Sequence, residues 1–414
     1  MFIKRIGITL LMVIMGVGVW AQSPPKESPH WEEYDYPEVA SENPVIRALM
    51  NRVSADSLEA TIGYLQAYHT RRWNSSMVYQ AQDWLLEQYH ELGYDSVFLH
   101  DFPVLYHDTL YETSDNIIAI KRGLLYPDEF VVCGAHYDSF NKFAGAPDSL
   151  LAPGADDNAS GTAGILETAR ILSRCTFERS VMFCGFAAEE IGLYGSAAFA
   201  KDCADQGVRI VGYFNLDMIG YLEDGSDIHV NLIYTPQDSL LGNYVFDFSH
   251  RYFPDMPIRQ SWFHNGGDSD FSSFNRNGYA AIHLFEDTRH CSPFIHTPDD
   301  VLGISVNNMD QAKRFTELNL GLVATLAGLL SNTVDEATEG LCAAPNPTEG
   351  PLMLHGPAME QVSVFNLLGQ RVWCQPCGGQ ETVRLELAGL ASGIYLIQVL
   401  GADGRSYPVR LIKR

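Results

Sequence analysis

The sequence predicts an α/β protein with a mainly parallel mixed sheet sandwiched by helices, followed by a small all-β C-terminal domain. Three observations support this. Continuous apolar segments alternate with helical ones up to about residue 331, an acidic linker follows, and short apolar segments separated by glycines fill the remainder. Continuously apolar strands are typical of buried parallel sheets, whose crossovers are helices. The alternation therefore indicates helices on both faces of the sheet.

The beginning of the chain predicts export. Lys4 and Arg5 precede the apolar segment GITLLMVIMGVGV, and VWA before Gln22 is a small-residue cleavage site, so we expect a signal peptide at residues 1–21. The alternative is a membrane anchor, but the apolar segment is shorter than the roughly 20 residues of a membrane span. The polar, proline-rich residues 22–45 are interpreted as a leader or short propeptide.

Composition limits the class of partner. The 414 residues are 46% hydrophobic and carry a formal net charge of −24. A surface this acidic argues against nucleic acid, whose phosphates require basic residues. We therefore expect a soluble exported protein with no nucleic-acid partner and no membrane span after signal cleavage.

The large domain is expected over residues 46–335. It begins with two helical patterns, SADSLEATIGYLQAYH and SMVYQAQDWLLEQYHELG, and the second closes at Gly93, a plausible C-cap. The predicted strands are DNIIAI, EFVVCGAH, SVMFCGFAA, RIVGYFNLDM and YAAIHLF, and the helices between them include SGTAGILETARILSRC, GSAAFAKDCAD and QDSLLGNYVFDFSH. A long helix, MDQAKRFTELNLGLVATLAGLLS, is expected to close this domain near residue 331.

The composition then changes. We expect a linker at residues 336–342 and a β-rich domain at residues 343–414, where LMLHG, QVSVFNLLGQRVW, TVRLELAGLASGIYLIQVL and SYPVRLIKR are strand-like. Within it, Cys374 and Cys377 have the spacing of a thioredoxin-type redox motif. That motif requires a strand-to-helix context, which a glycine-rich β segment does not provide. A local disulfide and two unpaired thiols both remain open.

Histidines and carboxylates concentrate where the predicted strands end, which is the edge where open α/β sheets form sites. Taken singly, each has an ordinary interpretation; Asp156 or Asp157, for example, could cap a helix or stabilise a turn. Together, five segments place such groups on one edge, and so much carboxylate requires cations. Mixed histidine and carboxylate ligation suits zinc. The candidates are His136, Asp138, Asp156, Asp157, Glu189, Glu190, Asp217 and His296.

Five motifs in this order, GAHYDS, PGADDNASG, AAEEIGLYGS, NLDMIG and IHTPDD, resemble those of the co-catalytic two-zinc aminopeptidase family, which includes bacterial leucyl aminopeptidases. HTRRWNSSMVYQAQDWL is also similar to that family's N-terminal helical region. The resemblance implies a zinc exopeptidase fold and two Zn²⁺ ions per chain. It also implies hydrolysis of peptides that have a free N-terminus, through a metal-bridged water activated by a glutamate base.

The resemblance implies a role for each metal ligand. Asp157 would bridge the two zinc ions. The other ligands would be divided between the two sites, with His136 and Asp217 at one and Glu190 and His296 at the other.

Two further carboxylates would be catalytic. The resemblance implies that Glu189 is the general base, which takes a proton from water and passes it to the leaving amine. Asp138 would orient the imidazole of His136. Adjacent residues of a strand face opposite ways, so the chain must bend at Glu189 for it to share a site with its neighbour. Gly192 and Gly195 would permit a sharp turn.

Two departures from the family leave the transition-state hydrogen-bond donor unassigned. Some relatives have SDH where this chain has SDF, and some have a tyrosine near the last zinc histidine, which in this chain is preceded by Ile295. Tyr279, His283 and His290 are candidates for the donor, although each has an ordinary structural interpretation.

Two other functions are compatible with parts of the sequence. Glutaminyl cyclase, which typically uses one zinc to form N-terminal pyroglutamate, shares the fold, and HLFEDTRHCSPFIHTPDD is similar to its final segment. PGADDNASG and AAEE, however, are the peptidase forms of their motifs. A binding protein on an inactive peptidase scaffold is the second alternative, which is disfavoured because no expected ligand or base is missing.

The tail resembles the C-terminal sorting domain of the type IX secretion system, through NPTEG, VFNLLGQRV, LASGIYLIQV and the basic end RLIKR. This implies a secreted or cell-surface protein that is exported through the periplasm and has the secretion machinery as a partner. A carbohydrate-binding or protective β-sandwich is the alternative.

Overall fold

The computed structural model describes residues 34–143, 145–261, 268–332, 342–344, 346–366, 371–402 and 406–414. The predicted signal peptide and most of the predicted linker lie outside these residues. The chain divides into two compact units, Met1–Leu330 and Ser331–Arg414. The domain boundaries expected from the sequence stay predictions.

The described part of the first unit is built on a mixed sheet and two small two-stranded sheets. Its strands are β1 (Ser96–His100), β2 (Val104–Tyr106), β3 (Thr109–Tyr111), β4 (Asn116–Lys121), β5 (Tyr126–His136), β6 (Cys175–Phe177), β7 (Arg179–Phe186), β8 (Arg209–Leu216), β9 (Val230–Ile233), β10 (Ile258–Ser261), β11 (Ala281–Phe285) and β12 (Leu329–Asn332). Among the described residues, eight of these strands form the main sheet in the order β1-β4-β7-β5-β8-β11-β9-β10.

The centre of the main sheet is parallel. Strands β7, β5, β8 and β11 run in one direction, whereas β4 and β1 on one side and β9 on the other are antiparallel to their inner neighbours. The inner strands are buried almost throughout, as their continuous apolar sequences predict. The four parallel strands therefore end at one edge of the sheet. The strand order reverses at β5, because β7 lies on one side of it and β8, the next parallel strand in the sequence, lies on the other.

Helices cover both faces of the sheet, which confirms the predicted fold class. The helices are α1 (Pro44–Met50), α2 (Ala55–Gln66), α3 (Ser76–Glu91), α4 (Gly161–Leu172), α5 (Tyr194–Asp205), α6 (Ser239–Tyr252), α7 (Phe271–Arg276) and α8 (Met309–Leu326). Val132 of β5 packs in one apolar cluster with Phe199 of α5 and Phe274 of α7. The adjacent Cys133 points to the other face, where it meets Asn319 of α8.

Capping side chains fix the N-termini of three helices. Ser54, Ser75 and Asn308 cap α2, α3 and α8 by accepting a hydrogen bond from a backbone N–H in the first turn. The expectation that α8 continues to about residue 331 was wrong. Gly328, with φ +68°, turns the chain out of the helix, and the following residues form β12, which pairs with β6.

The second unit is an antiparallel sheet of its own. Its described strands are β13 (Cys342–Ala344), β14 (Pro351–Phe365), β15 (Arg371–Glu386), β16 (Gly393–Gly401) and β17 (Ser406–Lys413). Leu354, Val362 and Ile397 are among the residues of its separate apolar core. Cys374 is exposed and Cys377 is buried, and both are free thiols. The alternative of unpaired thiols therefore fits this structure. None of the described helices is both long and apolar enough to cross a membrane.

Candidate metal centre

The structure brings the expected metal ligands together at the carboxyl edge of the parallel strands. His136 is the last residue of β5, Asp217 directly follows β8, and Glu190 comes four residues after β7. Asp157 lies in the turn before α4, and His296 lies in the loop after β11. The order of the strands in the sheet is what places these distant parts of the sequence in one site.

Asp157 lies between the two histidines. Its Oδ1 is 3.3 Å from His136 Nε2, and its Oδ2 is 3.0 Å from His296 Nε2. Asp217 Oδ1 lies 3.5 Å from the same nitrogen of His136, and Glu190 Oε2 lies 2.8 Å from that of His296. We call His136 and Asp217 the strand-held half of the centre, and His296 and Glu190 the loop-held half, with Asp157 between them.

The chain bends before Glu189, as the adjacent glutamates require. Ala188 has φ +55°, in the left-handed region that residues other than glycine rarely adopt. Gly192, with φ +125°, continues the turn, and a Cβ at Gly195 would clash with the carbonyl oxygen of Ala187. The bend brings Glu189 Oε2 to 4.0 Å from His136 Nε2. Glu189 therefore faces the strand-held half, while its neighbour faces the loop-held half.

Asp138 contacts more of the centre than the sequence predicts. Its buried Oδ1 lies 3.5 Å from His136 Nδ1, close to the expected partner. The same oxygen accepts a hydrogen bond from the Glu189 N–H at 3.1 Å, and its Oδ2 accepts one from the Glu190 N–H at 3.4 Å. One carboxylate thus lies beside the imidazole, accepts hydrogen bonds from the backbone of both glutamates and stabilises the bend.

The other residues singled out in the sequence lie outside the ligand cluster. Asp156 accepts a hydrogen bond from the Gly220 N–H at 2.9 Å, and the Tyr279 hydroxyl donates to the Val208 carbonyl. His283 is buried with Nε2 3.4 Å from the Asp217 carbonyl oxygen, and the exposed His290 lies beside Glu223. Tyr279, His283 and His290 are all absent from the described lining of the cavity beside the cluster.

Two supporting residues were missed. Ser269 donates a hydrogen bond of 2.7 Å to Asp217 Oδ2. Arg71 is fully buried, and its guanidinium donates to the carbonyl oxygens of Tyr137 and Gly154, which joins the strand β5 side to the turn that carries Asp157. Arginine is rarely fully buried, so nothing in the sequence separated Arg71 from an ordinary surface cation.

A cavity of about 500 Å³ opens beside the cluster. Four of the candidate ligands, together with Glu189, line one part of it: Asp157, Glu190, Asp217 and His296. Apart from Asp268, the side chains of the rest are largely apolar: Leu193, Met218, Phe285, Cys291 and Ile295. The cavity can therefore hold an apolar side chain next to the polar groups.

The electrostatics of the cluster are those of closely packed carboxylates. Burial raises the pKa of Glu190 to about 8, with the Asp157 charge as a second cause, and burial raises that of Glu189 well above its usual value. Burial alone would lower the pKa of His136, but the Glu189 and Asp217 carboxylates hold it well above its usual value. Burial would also lower the pKa of His296, but the Asp157 and Glu190 carboxylates raise it to about 10. Carboxylates packed this closely favour positive charge between them, which a bound metal ion would supply.

Several buried atoms of the cluster suit a metal ion. His136 Nε2, Glu190 Oε1 and Asp217 Oδ1 have no hydrogen-bond partner within the described part of the chain, which is costly for buried polar atoms. Potential ligand atoms of His136, Asp157 and Glu190 lie within 4.8 Å of one another, as do those of His136, Glu189 and Asp217. Imidazole nitrogens with carboxylate oxygens are donors that zinc accepts. The residues present therefore fit the expected metal.

Comparison with known proteins identifies the peptidase family that the sequence motifs resemble. Residues 116–321 match the model of peptidase family M28, and residues 343–414 match that of the secretion system C-terminal sorting domain. Leucine aminopeptidase 1 of Sclerotinia sclerotiorum is 30% identical, over 68% of this chain and 74% of that protein.

Two solved structures share the fold. The LapA aminopeptidase of Legionella pneumophila has a TM-score of 0.60 at 23% identity, covering 72% of this chain and 78% of that one. A Bacteroides thetaiotaomicron glutaminyl cyclase has a TM-score of 0.54 at 18% identity, covering 66% and 97%.

Proposed function

We propose, from the premise that this chain belongs to peptidase family M28, that it is a zinc aminopeptidase that removes N-terminal residues from peptides outside the cell. The observation that carries the proposal is Asp157, whose two oxygens face His136 and His296 at 3.3 and 3.0 Å. A carboxylate placed in this way can bridge two cations. Asp217 and Glu190 then supply one further carboxylate to each half, so that two Zn²⁺ ions per chain are expected.

Glu189 is the proposed general base. Zinc bound at this centre by His136, Asp157, Glu190, Asp217 and His296 would lower the pKa of water and polarise the scissile carbonyl. Glu189 is buried, and its Oε2 lies 4.0 Å from His136 Nε2 in the strand-held half, so it is placed to accept a proton from water at this centre and to return it to the departing amine. Asp138 holds Glu189 in place through the backbone N–H. The apolar part of the cavity would receive the side chain of the N-terminal residue.

Export is proposed from the second unit. The type IX sorting domain at residues 343–414 supports transport through the periplasm to the medium or to the cell surface, and the secretion machinery would be its partner. The signal peptide expected at residues 1–21 would start that route, so that the peptidase meets its substrates outside the cell.

The test is turnover by purified mature protein on a set of aminoacyl nitroanilides, with chelator, after adding zinc back, and beside a peptide with N-terminal glutamine. We expect amine release that disappears with chelator and returns with two zinc ions per chain. A protein that releases no N-terminal residue but forms pyroglutamate, with one zinc per chain, would instead be a glutaminyl cyclase. Failure to bind zinc would refute both alternatives.

A further inference from the structure

Two buried carboxylates near the candidate centre have no assigned role. Glu286 is 0% exposed and Asp300 is 1% exposed, although such side chains are almost never fully buried unless they are paired. They stand on either side of His296 in the sequence, ten residues before it and four after it. No described helix or strand lies between β11 and α8, so His296 is carried by a long irregular loop.

Glu286 joins the beginning of this loop to the segment after β8. Its Oε1 accepts a hydrogen bond of 2.7 Å from the Ser292 N–H, and its Oε2 accepts one of 3.0 Å from the Tyr221 N–H. Its own N–H donates to the Met218 carbonyl oxygen at 3.2 Å. Hydrogen bonds to a carboxylate are stronger than neutral ones. The loop is therefore fixed at Ser292, four residues before the histidine.

Asp300 fixes the other side of the loop. Its Oδ1 accepts a hydrogen bond of 2.8 Å from the Asp156 N–H, and its Oδ2 accepts one of 3.2 Å from the Asp157 N–H. Its carbonyl oxygen accepts a third, at 3.0 Å, from the Ala155 N–H. Asp300 therefore attaches the loop to the turn that presents the shared carboxylate of the centre, at the backbone of Asp157 itself. Glu286 reaches the same turn one residue earlier, through a hydrogen bond that its side chain shares with that of Asp156.

We propose that Glu286 is a positioning residue that sets the place of His296, and so controls the affinity of the loop-held half for its zinc ion. The inference rests on the proposed function, since it concerns one of the two expected zinc sites. Asp300 has a different role, because it holds the backbone of Asp157, which serves both halves. The same loop carries Cys291 and Ile295 of the cavity wall, so Glu286 also positions part of the surface that receives the substrate.

The geometry explains why His296 needs this support. Its side chain is 33% exposed and its φ is +59°, an uncommon backbone conformation for a residue with a side chain. Apart from the fixed points at Ser292 and Asp300, its own carbonyl oxygen accepts one bond, from the Lys142 N–H at 3.1 Å. Without Glu286 the segment before His296 keeps the 2.6 Å contact between the Ser292 and Ser305 hydroxyls but loses its backbone hydrogen bond to the carboxylate. The imidazole would then be held less firmly before the metal binds.

The experiment measures stepwise zinc affinity of the full-length mature protein, by competition with a chromogenic chelator, for Glu286→Gln, Glu286→Asp, Asp300→Asn and the control Asp299→Asn. Gln replaces one of the two acceptor oxygens with a donor, and Asp keeps the charge but is one methylene too short to reach both amides. Asp299 is the exposed neighbour in the same motif, so its variant makes a matched change of charge beside the loop.

We expect both Glu286 variants to weaken zinc in the loop-held half by about 10–100-fold, as loss of an outer-shell partner does. Zinc in the strand-held half should be weakened much less, because Glu286 reaches the Asp157 turn through the Asp156 side chain and not at Asp157 itself. Turnover should recover when zinc exceeds the new dissociation constant, because Glu286 touches neither metal nor substrate. Asp300→Asn should weaken both sites, and Asp299→Asn neither. A purely structural role would lower thermal stability and leave the ratio of the two affinities unchanged, which would overturn the inference.

The outcomes separate this inference from the proposed function. Wild-type protein that binds fewer than two zinc ions would refute the two-zinc proposal itself. Wild-type protein that binds two, together with a folded Glu286→Asp variant whose two affinities are both normal or equally reduced, would refute only the role of Glu286. If Glu286→Gln fails to fold, Glu286→Asp decides the question, since it keeps a carboxylate in the buried position.

Discussion

The two halves of the candidate centre are built in different ways. In the strand-held half, His136 closes β5 and Asp217 follows β8, and the imidazole is 1% exposed. In the loop-held half, His296 comes from the irregular loop after β11, and its side chain is 33% exposed. Neighbouring parallel strands fix the first pair through the register of the sheet, whereas the second pair depends on hydrogen bonds to loop backbone.

This difference shows how one site can combine rigidly positioned ligands with a ligand that is accessible from solvent. The ligands at strand ends are placed by the same hydrogen bonds that hold the sheet together, so they are positioned before any metal binds. Of the two imidazoles, that of His296 lines the cavity, through which we propose that substrate enters, whereas the strand-held half reaches the cavity with Asp217. We therefore expect the two halves to differ in metal affinity, in their contribution to folding, and in their sensitivity to nearby substitutions.

The largest effect is expected at the adjacent glutamates, which face different halves. Glu189→Gln keeps the shape of the side chain but cannot accept a proton, and general-base catalysis typically contributes about 10²–10⁴-fold. Turnover should fall by at least that range with zinc content unchanged. Glu190→Gln should instead weaken zinc in the loop-held half, because a neutral amide is a poor replacement for the charged ligand. Metal analysis beside kcat for both variants checks this.

Two results would contradict these roles. If Glu189→Gln loses a zinc ion while Glu190→Gln retains both, the roles of the two residues are reversed. If Glu189→Gln keeps near-normal turnover, another group must take the proton from water.

The second effect concerns folding of the zinc-free protein. His136→Ala leaves buried carboxylates without their positive partner, and breaking a buried ion pair typically costs about 3–5 kcal/mol. His296→Ala also removes a partner from buried carboxylates, but its imidazole is 33% exposed, so solvent offsets part of the cost and we expect a smaller loss of stability than for His136→Ala. Urea unfolding followed by circular dichroism should separate the two variants. Equal losses of stability would show that the halves do not differ in their contribution to the fold.

Much of the strand-held half could be predicted from physical chemistry alone. The continuous apolar segments ending in His136 and before Asp217 indicate parallel strands, and parallel strands end at the same edge. The bend before Glu189 also followed, because adjacent strand residues face opposite ways. The sequence could not reveal that Asp138 holds this bend, since that contact joins loops after two different strands.

In the loop-held half, Glu190 also follows a predicted strand, but the position of His296 was harder to derive from the sequence pattern. No periodicity connects His296 to a strand, and its place depends on Glu286 and Asp300, which look like surface residues in the sequence. The short strands β9 and β10 were also missed, because four residues carry too little pattern to separate a strand from a loop. The extension of α8 was wrong because the apolar segment after Gly328 suits a helix and a strand equally well.

A smaller effect is expected from Ser269, which supports the strand-held half. Ser269→Ala removes the hydrogen bond to Asp217 Oδ2, and the other oxygen of that carboxylate stays beside His136. We expect a loss of about tenfold in zinc affinity or kcat, the lower end of what outer-shell partners contribute. Ser149→Ala, at an exposed serine, is the matched control. An unchanged Ser269→Ala enzyme would show that the strand register alone positions Asp217.

The smallest effect on turnover is expected from removing residues 343–414. Every residue of both halves lies between positions 136 and 296, within the first compact unit, and the second unit has an apolar core of its own. The truncated protein should therefore keep the zinc content and the kcat of the full chain. It should no longer leave the cell, because the matched sorting domain is missing. Activity assayed in cell lysate and in the medium separates the two effects. A folded truncated protein that loses turnover or zinc would show that the second unit supports the catalytic centre, and truncated protein found in the medium would show that export does not depend on the tail.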